Sequence, residues 1–269
     1  MINRRKFLMC STATGLALKL GTVWAEQEEA WADIRDFLFQ DRPVEDGSQW
    51  VSIIAPERPP NGGDVPITIA SRYPQETDKF IKTHHLIVDE NPSPVAAKFS
   101  LSPKNGAADI STRIRVNTYS NVRVISETND GKLYMNKTFV KASGGCSAPP
   151  MEIDPMSKLT MGKMQLIQDD AQDNPNMRDF HLVITHPNYS GLQKDQQTLL
   201  FIPPHYIESV EIKNRLDDVV FAVKGDISFS ENPSFDFSYL ATENDDVLFA
   251  KAIDSRKKVY ESQWPLTTA

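Results

Sequence analysis

The chain has little cysteine: two residues, Cys10 and Cys146, in 269. That excludes a disulfide framework and a thiolate-rich metal site, both of which need several cysteines at close spacing. Long apolar runs are also missing. The apolar stretch near the N-terminus is interrupted by Lys19 and is too short to span a bilayer as a stable helix, and no later segment approaches spanning length. Glycine is outnumbered by proline, 12 against 18, which points to many bounded strands and turns instead of long helices. No Gly-x-Ser-x-Gly nucleophile elbow and no Gly-x-x-x-x-Gly-Lys phosphate loop occurs. Gly62-Gly63-Asp64, after Pro59-Pro60, reads as a turn. Acidic residues are plentiful but scattered, so no catalytic carboxylate pair stands out. With no catalytic set, the chain is read as a carrier or binding protein, not an enzyme, and no cofactor is called for.

What is there begins at the N-terminus. Asn3-Arg4-Arg5-Lys6-Phe7-Leu8 opens an apolar, small-residue stretch that ends in Val23-Trp24-Ala25. Positive charge, an apolar stretch and a small residue before the cut are the parts of an export signal. The paired arginines resemble the twin-arginine type, so residues 1–25 are expected to be removed and the mature chain to reside in the periplasm. Cys10 falls inside this segment. Losing Arg4, Arg5, Lys6 and Lys19 takes the net charge from −7 to −11. So acidic a chain is a poor partner for nucleic acid or an anionic membrane.

Residues 26–40 have helical spacing, with Ala30, Trp31, Ile34, Phe37 and Leu38 recurring as one apolar stripe. From about Trp50 the period becomes two. Val65, Ile67 and Ile69 alternate with polar or small neighbours, and Ile110, Thr112, Ile114 and Val116 alternate with Ser111, Arg113 and Arg115. Asn129-Asp130-Gly131 predicts a hairpin returning along 133–140. Strand patterns resume at 164–167, 180–185, 198–202, 206–213, 219–223, 235–240 and 247–253. The expected fold is all-β: two immunoglobulin-like β-sandwich domains with a short N-terminal helix. The boundaries are 26–142 for the first sandwich, 143–157 for a Gly/Pro-rich linker, and 158–269 for the second.

Cys146 sits in that linker, in Ser143-Gly144-Gly145-Cys146-Ser147-Ala148-Pro149-Pro150. Apart from Cys10 it has no cysteine to pair with. Gly144 and Gly145 read as flexible presentation, so the thiol is expected to be solvent-accessible and chemically used. His84 and His85 point to opposite faces of a strand and cannot easily share an ion, so no metal site is expected. His186 and His205 lie beside prolines at strand ends, where a surface or turn histidine is the usual outcome, though one could approach Cys146 and tune it.

Several segments together resemble a known family. Asn91-Pro92-Ser93-Pro94, Phe99-Ser100-Leu101-Ser102-Pro103, Ile110 to Val116, and the run from Asp130-Gly131 to Gly144-Gly145-Cys146 are similar to SoxY. His186-Pro187-Asn188-Tyr189-Ser190-Gly191, Lys194-Asp195, Ile202-Pro203-Pro204-His205-Tyr206-Ile207 and Ser230-Glu231-Asn232-Pro233 are similar to SoxZ. The whole resembles the fused SoxYZ-like carriers associated with quinoprotein dehydrogenases. The resemblance implies two paired sandwiches and a periplasmic carrier whose cysteine, matched by Cys146, holds sulfur intermediates during thiosulfate oxidation. The implied partners are periplasmic sulfur-oxidation enzymes or a quinoprotein dehydrogenase. An accessory binding protein for such a dehydrogenase, with no covalent cargo, is the alternative. SoxY ends in a free Gly-Gly-Cys-Gly-Gly tail. Here Ser147-Ala148-Pro149-Pro150 and a whole domain follow, so the thiol is offered as a loop.

Overall fold

The computed structural model describes residues 30–150, 159–170, 174, 176–242 and 245–266. The expected export signal, with Cys10, and residues 151–157 of the expected linker lie outside them. Among the described residues, no helix is long and apolar enough to cross a membrane.

Two compact units divide at Arg42. The first holds a helix over 30–39, with Trp31 and Phe39 buried and Phe37 exposed. Gln40 ends it in a left-handed turn, at φ 53°.

The described residues of the second unit form strands and loops with two short 3-10 turns, Pro103–Asn105 and Gly145–Ser147. Its first half supplies β1 (Val44–Asp46), β2 (Val51–Ile54), β3 (Val65–Ser71), β4 (Ile81–Val88), β5 (Val95–Ser100), β6 (Ile110–Ile114), β7 (Ser120–Thr128) and β8 (Leu133–Val140). Its second half supplies β9 (Met164–Asp170), β10 (Met177–Ile184), β11 (Ile207–Asn214), β12 (Val219–Gly225), β13 (Ser234–Leu240), β14 (Val247–Asp254) and β15 (Val259–Pro265). The alternation seen in sequence is the burial pattern of these strands. Val65, Ile67 and Ile69 turn inward from β3, and Ile110, Thr112 and Ile114 from β6. The β7–β8 hairpin closes at the expected Asn129-Asp130-Gly131, where Gly131 takes φ 86°.

The strands form two sheets, β1-β8-β7-β4-β5-β12-β11-β14-β15 and β2-β3-β6-β13-β10-β9. Both run through both halves of the chain, because β5 pairs with β12 and β6 with β13. One aromatic stack ties the two sheets together. Phe221 of β12 lies 4.4 Å from Phe237 and 5.5 Å from Phe235 of β13, and Phe99 of β5 lies 6.4 Å from Phe235. Each such buried ring contributes roughly 1.5–3 kcal/mol. Asn105, buried in the first half, donates from Nδ2 to the Val220 and Ser238 carbonyls at 2.9 and 3.0 Å. Losing either half would expose this core and orphan those groups. A chain cut near Pro149 is therefore expected to elute as one species on size-exclusion chromatography at micromolar concentration. Separate elution of the pieces contradicts the shared core.

Two stretches differ from the sequence expectation. Residues 198–202 do not form a strand. Asp195 Oδ1 accepts from the amides of Gln197 and Thr198, and this folds the segment into a turn, with Leu199 at φ 61°. β15, at the chain's last described stretch, has only a weak alternation and was not expected.

Candidate functional site: a thiol held in a closed turn

The chain leaves the sheet at the end of β8. Lys141 N donates to the Glu57 carbonyl at 2.7 Å, and Gly144 N to the Asn117 carbonyl at 2.6 Å. Gly144 takes a left-handed φ of 68°, which starts a single 3-10 turn over Gly145–Ser147. Ser147 N closes it onto the Gly144 carbonyl at 3.1 Å.

Cys146 is at the centre of this turn, unpaired and fully buried. The expectation of an accessible thiol on a flexible arm is therefore corrected. Gly144 and Gly145 do not serve as loose spacers. Gly144 makes the left-handed bend. Gly145 permits a close approach: a Cβ there would sit 2.1 Å from the Gly62 carbonyl oxygen and 2.4 Å from that of Val116. The Gly62-Gly63-Asp64 turn is the wall against which the cysteine turn packs. Arg113 fixes that wall, with Nη2 at 2.6 Å from Asp64 Oδ2.

On the other side lies the loop after β10. Ser190 Oγ donates to the Cys146 carbonyl, and Gln193 Nε2 to the Ala148 carbonyl at 2.8 Å. The SoxZ-like motif His186 to Gly191 thus reaches across and holds the SoxY-like cysteine turn shut.

Burial pushes the thiol from its ordinary 9.0 up to about 11. The nearby Arg115 guanidinium pulls the other way, and Asp226 adds to the rise. Arg115 is itself buried and donates through Nη1 to the Phe229 carbonyl. Read as the solvent side of an alternating strand, it lies just past the end of β6, where the alternation stops. Asp226 accepts from the Ser93 hydroxyl and from Ser228 N at 2.8 Å, and burial raises its carboxyl. In this closed state the thiol is protonated and out of reach, so it is a poor nucleophile.

The histidines are elsewhere. His84 is buried, with Nδ1 2.8 Å from Ser126 Oγ and Nε2 2.8 Å from the Ala108 carbonyl, and burial lowers it to about 4. His85 points the other way, toward Glu127. His186 and His205 are not surface residues. Both are buried, their rings edge to face at 4.6 Å, beside Asp254. Neither is a charged neighbour of the thiol; that place belongs to Arg115 and Asp226. Pro187, Pro203 and Pro204, which marked the two histidines as strand-end residues, gave no sign that their loops would fold inward.

Set against known proteins, residues 35–146 match the family model "Sulfur oxidation protein SoxY" and residues 167–265 match "Sulphur oxidation protein SoxZ". No curated relative matches the chain. Among solved structures, the sulfur carrier protein SoxY from Chlorobium limicola f thiosulfatophilum is similar at 28% identity, covering 44% of this chain and 99% of that one, with a TM-score of 0.38. A superoxide reductase (neelaredoxin) from Ignicoccus hospitalis aligns at 18% identity over 37% of this chain and 88% of that one, with a TM-score of 0.31.

Proposed function

The chain belongs to the SoxYZ family, with a SoxY domain ahead of a SoxZ domain in one polypeptide, and from that premise we propose that it is a covalent sulfur carrier attached to its cargo through Cys146. Its role in sulfur oxidation is that of a carrier and not of an enzyme. The observation that carries the assignment of the attachment point is that the SoxY match ends on Cys146 itself. No other cysteine is present among the described residues.

Function requires the turn to open. Cys146 is not held by a strand ladder. Its turn hangs on a few loop hydrogen bonds, from Gly144, Ser147, Ser190 and Gln193. Each is worth about 0.5–1.5 kcal/mol, so local opening costs far less than unfolding the sandwich. Once open, the thiol regains its ordinary acidity. Its thiolate attacks the oxidised sulfur of a donor, a new sulfur–sulfur bond forms, and the donor's leaving group departs with the electron pair.

The working compartment is proposed to be the periplasm, reached through the Arg4-Arg5 signal, with sulfur-oxidation enzymes as partners. One measurement tests cargo and export together: the intact mass of protein purified from its own cell without reductant. The expected mass is that of a chain starting at Glu26 plus sulfur-containing additions that reductant removes. A chain retaining residues 1–25 overturns the export proposal.

A second reading draws support from the burial of the thiol. In it the chain is an accessory binding protein for a periplasmic quinoprotein dehydrogenase, and Cys146 is a core residue. That reading expects no addition at Cys146 in any preparation.

A further inference from the structure

Three buried side chains converge away from the thiol. His186 follows β10, His205 precedes β11, and Asp254 ends β14. Their ligand atoms all lie within 4.8 Å of one another. Asp254 Oδ2 is 2.8 Å from His205 Nε2 and 3.9 Å from His186 Nε2. Asp254 is firmly placed: Oδ1 accepts from Arg256 N and Lys258 N, each at 2.9 Å, and Oδ2 accepts from the Tyr260 hydroxyl at 3.0 Å.

His186 is the anomaly. Its Nε2 is buried, has no hydrogen-bond partner, and faces the carboxylate across a gap too long for a hydrogen bond. Its other nitrogen is well served. Nδ1 lies 3.1 Å from Asn188 Oδ1, and the orientation of that amide is fixed because Asn188 Nδ2 donates to the Phe229 carbonyl at 3.1 Å and Oδ1 accepts from Ile207 N at 2.9 Å. Asn188 N also donates to Nδ1 at 3.1 Å, so that nitrogen has contacts on both sides while Nε2 has none. A buried ring nitrogen with no partner, aimed at a carboxylate and beside a second imidazole, is a position that a metal ion fits.

We propose that His186, His205 and Asp254 bind one divalent transition-metal ion of the zinc class. Two imidazoles and one carboxylate suit such an ion, with a fourth position left for water. The geometry is near that required. Bonds of about 2.0–2.1 Å in a tetrahedral array place neighbouring ligand atoms about 3.3 Å apart. The observed separations from Asp254 Oδ2, 2.8 and 3.9 Å, lie on either side of that value. Asn188 Oδ1 then plays the part that a carbonyl or carboxylate usually plays behind a metal-bound histidine.

The test uses the full chain, stripped with chelator and titrated with Zn²⁺ or Co²⁺. One equivalent is expected to survive dialysis, and the Co²⁺ form is expected to show the visible bands of a four-coordinate site without thiolate charge transfer. His186→Ala and His205→Ala are each expected to weaken binding by at least about tenfold. His181→Ala, which changes an exposed histidine paired with Asp236, and Cys146→Ser are expected to leave it unchanged. If either ligand variant unfolds, the wild-type titration still decides. A folded wild-type chain that retains no ion overturns the proposal, as does retention that depends on Cys146.

Discussion

Gly145→Ala is expected to raise the alkylation rate of native Cys146 by about 5- to 150-fold at pH 8. The added Cβ would fall 2.1 Å from the Gly62 carbonyl oxygen and 2.4 Å from that of Val116. Both are backbone atoms of fixed loops and cannot swing aside. Overpacking of this kind costs about 1–3 kcal/mol. The strain acts on the closed turn and vanishes when the turn opens, so it is transferred to the opening equilibrium. The same strain lowers the thermal midpoint by about 2–4 °C per kcal/mol, and the sandwich, whose core lies elsewhere, should still unfold as one unit. A rate within twofold of wild type would mean that the turn is not the gate. A rate that rises only together with global unfolding would mean the same.

The second large effect is in the pH dependence. A free thiol ionises near 9.0, and the closed one near about 11. The sign follows from which form each state prefers. The closed state holds its proton more tightly, so closure is fully favoured below pH 9 and is progressively lost as the pH rises from 9 toward 11. Alkylation of the denatured chain should level off near pH 9. Alkylation of the native chain should keep rising, about tenfold per pH unit, up to about pH 11. Native and denatured curves that level off together near pH 9 would show that the thiol is exposed. Ser190→Ala and Gln193→Ala should move the native curve upward without moving its midpoint, because each removes a bond that holds the turn shut and leaves the burial of the closed thiol intact.

The sequence made the strands legible because a half-buried strand writes its own period. Val65, Ile67 and Ile69 could hardly serve any other element. It made Cys146 legible as the residue of interest, by scarcity and by resemblance. It did not make the burial of Cys146 legible. A Gly-Gly pair next to a cysteine fits a flexible arm and a close backbone contact equally well. The choice between them is made by Gly62 and Val116, more than twenty residues away in sequence, and by Ser190 and Gln193 in the other half of the chain. Arg115 was hidden for a related reason. It continues the polar alternation of β6, but the strand stops one residue earlier and the side chain turns inward. His186 and His205 were hidden by their prolines, which mark strand ends without saying on which side the following loop folds. The turn at 198–202 shows the limit of apolar runs as strand signals: Leu199, Leu200 and Phe201 are exposed, and Asp195 dictates their backbone.

The closed turn also recasts the fusion of the two domains. In a single chain the SoxZ-like loop bearing Ser190 and Gln193 is always at hand to latch the SoxY-like cysteine, because tethering raises its effective concentration. The latch needs no free tail, and the chain has none at this point.

The central claim is that Cys146 carries sulfur between partners. It is tested most directly by replacing the chromosomal copy with Cys146→Ser and following oxidation of the sulfur substrate by the cells. Circular dichroism and the thermal midpoint of the purified variant serve to check the fold. The oxygen-for-sulfur change is small, so the sandwich should persist while sulfur oxidation is lost. A folded Cys146→Ser chain that supports sulfur oxidation at the wild-type rate would contradict the account.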